Sequence, residues 1–414
     1  MSIEKRSENT YRLTVSMGYT KEGKKIRKQK TIDLSNFSPK KQSQEAQKQY
    51  VLFEDAVKKG QYIDNEKITF EDFTELWLKD YAIPNLQPKT LHEYNKLLQR
   101  IIVAIGHIKL CQLQPIHLTA FYNNLREDGI RKDKKAGGLS PKTITHYHRL
   151  ISTILETGVQ WNLLANNPAS RVKPPKLEKH EARHFNIEQT EYILELLESE
   201  PLKYRTMIVL ALYGGMRQGE LTALTWSDVD LKTFTIRIDK SLQHLPGRKT
   251  FTKSTKTETM RIISVPASVI ELLKKYKLWQ SEEKLNLGDL WHKEESFIFT
   301  AYDGKAIFPS TISKWFLKFL RKHNELIIND DKISDKEKYL LPEVNFHGLR
   351  HTHATILIHQ NTDIATVSKR LGHAKISTTT DIYTHSLQKA DKTASDNLDN
   401  LFNKKNKQNQ EQGY

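Results

Sequence analysis

The stretch "NFHGLRHTHATIL" (Asn345–Leu357) gathers His347, His351 and His353 around Arg350 within seven positions. Such a group serves as a metal site, as buried packing, or as a site for a ligand that carries negative charge. His347 and Arg350 are three residues apart and share one helical face. A guanidinium offers a planar fork to phosphate oxygens, and an imidazole can donate or accept a proton. The pair is therefore a candidate phosphate site, although such pairs often serve structure.

A metal site is the first alternative for the three histidines. His347 and His351 have the spacing of a zinc-protease helix, but that motif needs a glutamate between them as general base. The residues between them are Gly-Leu-Arg, and Arg350 would repel a cation. His351 and His353 are two apart, so a helix would point them to opposite sides. We predict no metal site and no cofactor, and a zinc protease is kept only as an alternative that metal analysis would test.

The composition favours a polyanionic partner. The chain has 414 residues and a formal net charge of +16, which points to nucleic acid, although a merely soluble basic protein has the same balance. One cysteine, Cys111, excludes an intramolecular disulfide and cysteine-rich zinc modules, and fits the reducing cytoplasm. We expect no signal peptide and no membrane partner, because the longest apolar run, 207–216, is too short to span a bilayer.

Residues 1–60 predict a small basic domain. "YRLTVSMGYTKEGKKIRKQKTIDL" alternates apolar and polar residues on both sides of a glycine turn, which indicates a β-hairpin. A helix follows, with Ser38 as N-cap, Pro39 as first residue and Gly60 as stop signal. Such a sheet suits insertion into a DNA groove, whereas the alternative is a solubilising extension. The candidate DNA-binding residues here are Arg12, Lys24, Lys25, Arg27, Lys28 and Lys30.

Residues 66–171 predict an all-helical domain of about four helices. Thr69 and Asp72 form an approximate capping box before the first of them, and aromatic residues recur at helical spacing. We interpret those aromatic residues as core. Lys89 and Lys142 are candidate phosphate contacts, although surface lysines are usually just solvated.

Residues 184–395 predict a third domain, mostly helical with a small antiparallel sheet. A polar, basic and proline-containing linker precedes it, and the tail, 396–414, is rich in Asn, Gln and Lys and is predicted to be disordered at its end. The fold class expected for the whole chain is therefore multidomain α+β: a small N-terminal sheet plus helix, an all-helical domain, and a mostly α domain with a small sheet.

Two further stretches hold candidate site residues. In "ALYGGMRQGELTALTWSDVD", Arg217 follows a Gly-Gly break and begins a helical stretch. Glu220 lies one turn later, where a salt bridge would orient the guanidinium; an ordinary surface pair is the alternative.

The second stretch is "RLGHAKISTTTDIYTHS". His373 begins a turn after a helix that stops at Gly372, and Tyr383 follows in a polar, Thr-rich setting. We expect Tyr383 to be more exposed than a core tyrosine and expect Ile376 and Ile382 to be the buried positions.

Together, "GGMRQGEL", "HGLRHTHAT" and "LGHAKISTTTDIYTH", in this order and spacing, resemble the tyrosine recombinase (phage integrase) family. The resemblance covers nearly the whole chain. The N-terminal domain resembles the arm-type DNA-binding domain of integrases from temperate phages and conjugative transposons. The helical domain resembles the core-binding (SAM-like) domain, and 184–395 resembles the catalytic domain.

The resemblance implies roles for particular residues. Arg217 and Arg350 would clamp the non-bridging oxygens of the scissile phosphate, and His373 would hydrogen-bond it. Tyr383 would be the nucleophile, and we expect neighbouring positive charge to help its phenol, with an ordinary pKa near 10, to ionise. The implied catalytic residues are Arg217, Lys256, His347, Arg350, His373 and Tyr383.

The remaining roles concern proton transfer and support. His347 would assist proton transfer, and Lys256 would protonate the departing 5′ oxygen. "TKSTKTETMRIISVP" resembles the β-hairpin that carries the lysine of the family, but Lys253 is the alternative because the spacing to Arg261 departs by about one residue from common family members. Glu220 would support Arg217. No cofactor is implied.

The implied function is site-specific integration, and excision, of a mobile element through a 3′-phosphotyrosyl intermediate. The implied partners are double-stranded DNA at core and arm attachment sites, a homotetramer on that DNA, an excisionase and a host DNA-bending protein. A type IB topoisomerase is the enzymatic alternative, against which the arm-like domain argues. A non-catalytic DNA-binding descendant is the other alternative, although all the implied catalytic residues are in place.

Overall fold

The computed structural model describes residues 2–19, 23, 25–58, 67–178, 183–244, 251–254, 260–292, 296–383 and 395. The chain divides into two compact units, Met1–Lys179 and His180–Tyr414. This division falls within the predicted linker. The predicted boundaries 1–60, 66–171, 184–395 and 396–414 stay predictions.

The N-terminal part of the first unit is a three-stranded antiparallel sheet, in the order β1-β2-β3, followed by one helix. The predicted hairpin is confirmed, since β2 pairs with β3, whereas the short strand β1 was not predicted. The helix begins at Pro39 as predicted, and Gly60 lies outside the described residues. The bounds are β1 Ser2–Lys5, β2 Thr10–Tyr19, β3 Lys25–Asp33 and α1 Pro39–Lys58.

Alternation in β2 gives this small sheet its core. Leu13 and Val15 point to the same face and pack with Tyr50, Phe53 and Val57 of α1. Residues two apart on one face of the strand thus pack against residues three and four apart on one face of α1. The polar residues of β2 are left on the face that α1 does not cover.

The rest of the first unit is all-helical, as predicted. The capping box is present: Asp72 N donates to Thr69 Oγ1 at 3.1 Å, and Thr69 N donates to Asp72 Oδ2 at 3.0 Å. The aromatic residues of α2 are core, and Trp77 Nε1 donates to Thr157 Oγ1 of α6 at 3.1 Å. The helices are α2 Phe70–Trp77, α3 Ile83–Asn85, α4 Pro88–Ile105, α5 Pro115–Asn124 and α6 Pro141–Gln160.

The second unit is mostly helical. Its central helix, α8, is buried on almost every side and packs against α10 and α13. No helix among the described residues of either unit is both long and apolar enough to cross a membrane. The helices of this unit are α7 Ile187–Leu196, α8 Leu202–Gly214, α9 Gln218–Ala223, α10 Ala267–Leu287, α11 Pro309–Asn329, α12 Lys336–Tyr339, α13 Phe346–His359, α14 Ile364–Leu371 and α15 Ile376–Ile382.

Two small antiparallel sheets complete the second unit. One has the order β4-β5-β8, and the other joins β6 to β7. The predicted α+β class is thereby confirmed. The strands are β4 Val229–Asp230, β5 Thr235–Ile238, β6 Lys240–Gln243, β7 Phe251–Ser254 and β8 Arg261–Ser264.

Candidate active site

The Gly-Gly break at the end of α8 directs Arg217 into the site. Gly215 adopts a left-handed conformation with φ of 59°, and a Cβ there would lie 2.6 Å from His353 Cδ2, so only glycine fits. Arg217 is the N-cap of α9, and the predicted salt bridge is present: its Nη1 donates to Glu220 Oε1 at 2.9 Å. The backbone N–H of Arg217 also donates to Glu220 Oε2 at 2.9 Å.

Glu220 is held by a second arginine that the sequence did not single out. Arg261 Nη1 and Nη2 donate to its two carboxylate oxygens at 3.1 and 2.6 Å. Burial opposes ionisation of Glu220, but the hydrogen bonds and charges of Arg261 and Arg217 outweigh it and lower the pKa of the carboxyl group. A signal was present in the sequence: Arg261 shares the buried face of β8 with Ile263.

Arg350 connects three segments of the second unit. It lies in α13, whose N-cap Asn345 accepts a hydrogen bond from the backbone of Gly348 at 3.0 Å. Arg350 Nη1 donates to the carbonyl of Gly215 at 2.8 Å, and Nη2 donates to that of Leu371 at 2.6 Å. Burial, together with the charge of Arg217, lowers its pKa to about 10.

The three histidines of the opening stretch have different environments. His353 is buried; its Nδ1 donates to the carbonyl of Leu212 at 2.7 Å, and Arg370 Nε donates to its Nε2 at 3.2 Å. It therefore serves packing. Burial and the charge of Arg370 lower the pKa of His353 to about 4.

His347 and His351 form a pair on the other side of α13. Their rings meet edge to face with centroids 5.0 Å apart. The pKa of His347 is lowered, mainly by burial and to a lesser extent by the charges of Arg350 and Arg217. The pKa of His351 is lowered to about 4, mainly by burial and to a lesser extent by the charge of His347. Among the described residues, no group of three His, Cys, Asp or Glu side chains is arranged to hold a metal ion.

His373 follows the C-terminus of α14, as predicted. Gly372 caps that helix with φ of 69°, and His373 Nδ1 is 2.7 Å from the hydroxyl oxygen of Thr379, a buried residue of α15. Burial, with the charge of Arg350 next in effect, lowers the pKa of His373 to about 4.

Tyr383 is buried, with 5% of its surface exposed, so the prediction of an exposed tyrosine was wrong. The prediction that Ile376 and Ile382 are buried was also wrong, because they are 51% and 47% exposed. The reason is helical geometry: Thr379 and Tyr383 are four residues apart, and these are the two residues of the segment that are buried. Tyr383 packs with Ala354, Ile358, Val367 and Leu371.

The nucleophile candidate, Tyr383, lies beside His351 of α13. The ring centroids of Tyr383 and His351 are 5.6 Å apart. Burial raises the pKa of Tyr383 to about 12, and the nearby charge of Arg350 only partly offsets it. The expected contribution of positive charge is therefore present, since Arg350 favours the ionised phenol, but burial has the larger effect and the net pKa is raised.

The lysine predictions fall partly beyond what the structure describes. Lys256 and Lys24 lie outside the described residues. Lys253 of β7 pairs through its backbone with Ser241 of β6. The structure does not describe the side chains of Lys253 and Lys25.

The other candidate DNA-binding residues lie on surfaces of the first unit. Lys89 and Lys142 are exposed, and each follows the proline that begins α4 or α6. Arg12 and Arg27 pair with Thr31 and Ser16, on the sheet face opposite the small core.

Lys28 and Lys30 are exposed but point the other way. They pair with Val15 and Leu13, which face α1, and directly paired residues of an antiparallel sheet share a face. The predicted basic surface of the sheet is therefore divided between two faces.

Comparisons with known proteins assign the second unit to a family. The phage integrase family matches residues 183–390, half of the chain, which holds every described residue of the candidate active site. The chain belongs to the phage integrase family. It is a tyrosine recombinase, the class of enzyme that the three motifs indicated. The N-terminal SAM-like domain of phage integrases matches residues 69–126 of this recombinase.

Similar proteins span nearly its full length. A tyrosine recombinase XerC-like protein of Caldanaerobacter subterraneus is 28% identical, covering 95% of this chain and 97% of that protein. The ICEBs1 integrase of Bacillus subtilis is 26% identical, and the match covers 96% of this chain and 99% of that integrase.

Two solved structures share the fold of the recombinase. The Tn1549 transposon integrase in complex with transposon right end DNA has a TM-score of 0.63 at 19% identity, covering 80% of this chain and 99% of that chain. A lambda integrase dimer bound to a core site has a TM-score of 0.52 at 16% identity, and the match covers 92% of this chain and 93% of that chain.

Proposed function

We propose that this recombinase integrates and excises a mobile element by cutting and rejoining double-stranded DNA at specific sites, with Tyr383 as nucleophile. One observation carries the proposal. Arg350 donates to the carbonyl of Gly215, next to the segment of Arg217, and to that of Leu371, next to the segment of His373. Tyr383 lies close enough to Arg350 for its charge to affect the pKa of the phenol.

The chemistry follows from these groups. The phenol oxygen of Tyr383 attacks the scissile phosphorus, its proton passes to His347, and the bond from phosphorus to the 5′ oxygen breaks. Lys256 gives the departing oxygen a proton, which leaves a 3′-phosphotyrosine and a 5′ hydroxyl. Rejoining is the reverse reaction with a new 5′ hydroxyl, and it needs no ATP because the bond energy is kept in the covalent intermediate.

The electrostatics favour the transition state. Negative charge grows on the non-bridging oxygens during attack, and Arg217, Arg350 and His373 would donate hydrogen bonds to them. Loss of one such donor typically slows a reaction by about 10²- to 10³-fold. The lowered pKa of His347 keeps its imidazole neutral near pH 7, so it is able to accept the proton of the phenol.

The chain carries three DNA-contacting domains in this proposal. Residues 1–60 bind arm sites, 66–171 and 184–395 each bind the core site, and 396–414 form the tail. The DNA complexes of the Tn1549 and lambda integrases support double-stranded DNA as the partner. Linked domains raise the effective concentration at the second site without new contacts. We further propose a homotetramer on two DNA segments, assisted by an excisionase and a host DNA-bending protein.

The proposal is tested by trapping the covalent intermediate. The full chain is incubated with a supercoiled plasmid that carries the joined ends of its element, and the reaction is stopped with detergent. We expect a DNA adduct whose peptide contains Tyr383, and none with Tyr383→Phe. Tyr276→Phe is the matched control, because Tyr276 is another buried tyrosine of the same unit and should leave the adduct unchanged.

Two outcomes would contradict the proposal. One is an adduct that persists in Tyr383→Phe; the other is no adduct with the unmodified chain. Relaxation of the plasmid without recombinant joints between two defined sites would instead indicate a topoisomerase.

A further inference from the structure

We propose that Arg261 is a positioning residue for the strand-cleavage reaction: it sets the place of Arg217 through Glu220 and fixes the turn that carries His373. The inference rests on the proposed function, in which Arg217 and His373 contact the scissile phosphate. Arg261 itself is buried, with 6% of its surface exposed, and it acts through other residues.

The first link runs through Glu220. Two nitrogens of Arg261 meet both carboxylate oxygens of Glu220, at 3.1 and 2.6 Å. The same two oxygens accept from the side chain and the backbone N–H of Arg217, each at 2.9 Å. The carboxylate is therefore shared between two arginines, and its position is fixed on the buried side by Arg261. Any shift of Glu220 moves the guanidinium of Arg217.

The second link runs to the end of α14. Arg261 Nε donates to the carbonyl of Arg370 at 2.9 Å, 109 residues further along the chain. Its guanidinium also lies against Gly372, where a Cβ would come within 2.8 Å of Nη1. His373 is the next residue. One side chain of β8 thus fixes two of the three phosphate-contacting segments, those of Arg217 and His373.

An arginine is required for this arrangement. Its planar fork presents three nitrogens in fixed directions, two for the carboxylate and Nε for the carbonyl. A lysine keeps the positive charge that the buried Glu220 needs but is a single point donor, so it cannot hold both links. Arg261→Lys therefore removes the geometry and retains the charge.

The experiment measures single-turnover cleavage of duplex attachment-site DNA by the full chain. Two kinds of substrate are compared: one with an unmodified scissile phosphate, and one in which sulfur replaces one of its two non-bridging oxygens. Sulfur is a weak hydrogen-bond acceptor, so it slows cleavage where an arginine contacts the replaced oxygen. We expect the unmodified chain to slow by at least about tenfold with the stereoisomer whose sulfur replaces the oxygen that Arg217 contacts, which is identified as the one whose effect Arg217→Ala abolishes.

Arg261→Lys is expected to cleave the oxygen substrate about 100-fold more slowly, as an ångström-scale misplacement would. It should also lose the stereospecific sulfur effect. That effect is a ratio within one protein, so it does not depend on how much of the variant is folded. In addition, Arg261→Lys should slow Arg217→Ala much less than it slows the unmodified chain, because only the link to the turn of His373 is left to be disturbed.

Arg237→Lys is the matched control. Arg237 lies on β5, the strand paired with β8, and donates to the buried Asp228 at 3.1 Å, outside the contacts of the site. It should retain the rate and the sulfur effect of the unmodified chain.

Arg261→Lys with the unmodified rate would overturn the inference. So would a slow Arg261→Lys variant that keeps the full sulfur effect, because its defect would then be general loss of structure. Failure of the unmodified chain to form an adduct at Tyr383 would overturn the proposed function, and the inference with it.

Discussion

Four histidines of the second unit, His347, His351, His353 and His373, have lowered pKa values, for which burial is the largest cause. Each of them also faces positive charge, from Arg350 in every case. The protein thus keeps these imidazoles neutral near pH 7 in a site crowded with guanidinium groups. A neutral imidazole is able to accept a proton or a hydrogen bond there, which a charged one is not.

At the residue scale, this neutrality predicts how stability depends on pH. The pKa of His353 is about 4 in the folded chain against 6.5 ordinarily, so its stabilising effect is present above pH 6.5 and is lost as pH falls towards 4. The slope for one such group is about 1.4 kcal/mol per pH unit. His353→Asn keeps a donor for the carbonyl of Leu212 but does not titrate.

We therefore expect the stability of His353→Asn to fall less steeply than that of the unmodified chain between pH 6.5 and 4.5. Thermal melts of both proteins across that range measure the difference. Equal slopes would show that His353 is not held neutral.

At the element scale, the turn between α14 and α15 sets the distance between His373 and Tyr383. It depends on Gly372, whose φ of 69° is strained for any other residue and whose missing side chain makes room for Arg261. A comparison position exists at Gly288, which also has a positive φ, 53°, but nothing within 4 Å of an added Cβ. The two glycines therefore share a positive φ but differ in ψ, 44° at Gly372 and −122° at Gly288, and in the contact.

Gly372→Ala should lose about 1 kcal/mol or more of stability and Gly288→Ala at least as much, because both give alanine a positive φ. Gly372→Ala should in addition slow adduct formation at Tyr383, since it displaces Arg261. Thermal melts and cleavage rates measured side by side separate the two effects. Equal cleavage rates for both variants would contradict the role of this turn.

At the scale of the whole molecule, a net charge of +16 supplies DNA affinity, but the fold decides where that charge is presented. In the N-terminal sheet, Arg12 and Arg27 lie on the face that α1 leaves open, whereas Lys28 and Lys30 share the face of the small core. If strands enter a groove, the open face is the one that meets the phosphates.

Two double variants that remove equal charge test this. Arg12→Ala with Arg27→Ala should weaken binding to arm-site DNA. It should also reduce the magnitude of the slope of log K against log salt concentration by about two. Lys28→Ala with Lys30→Ala should change both much less. Binding titrations across a salt series measure the slopes, and equal losses would mean that charge alone, not the open face, matters.

The sequence by itself determined the features that depend on neighbouring residues. The hairpin of β2 and β3, the capping box of Thr69 and Asp72 and the salt bridge of Arg217 with Glu220 each follow from spacing along a strand or one helical turn. The order of the three motifs likewise determined the family.

Only the tertiary structure decided which side chains are buried and what they contact. Tyr383 is buried although its segment is polar, His353 serves packing, and Arg261 reaches Glu220 from a position 41 residues away. Arg350 bonds to a carbonyl 135 residues distant. Such contacts are made between elements that are brought together by packing around α8, and no local period in the sequence encodes which elements will meet.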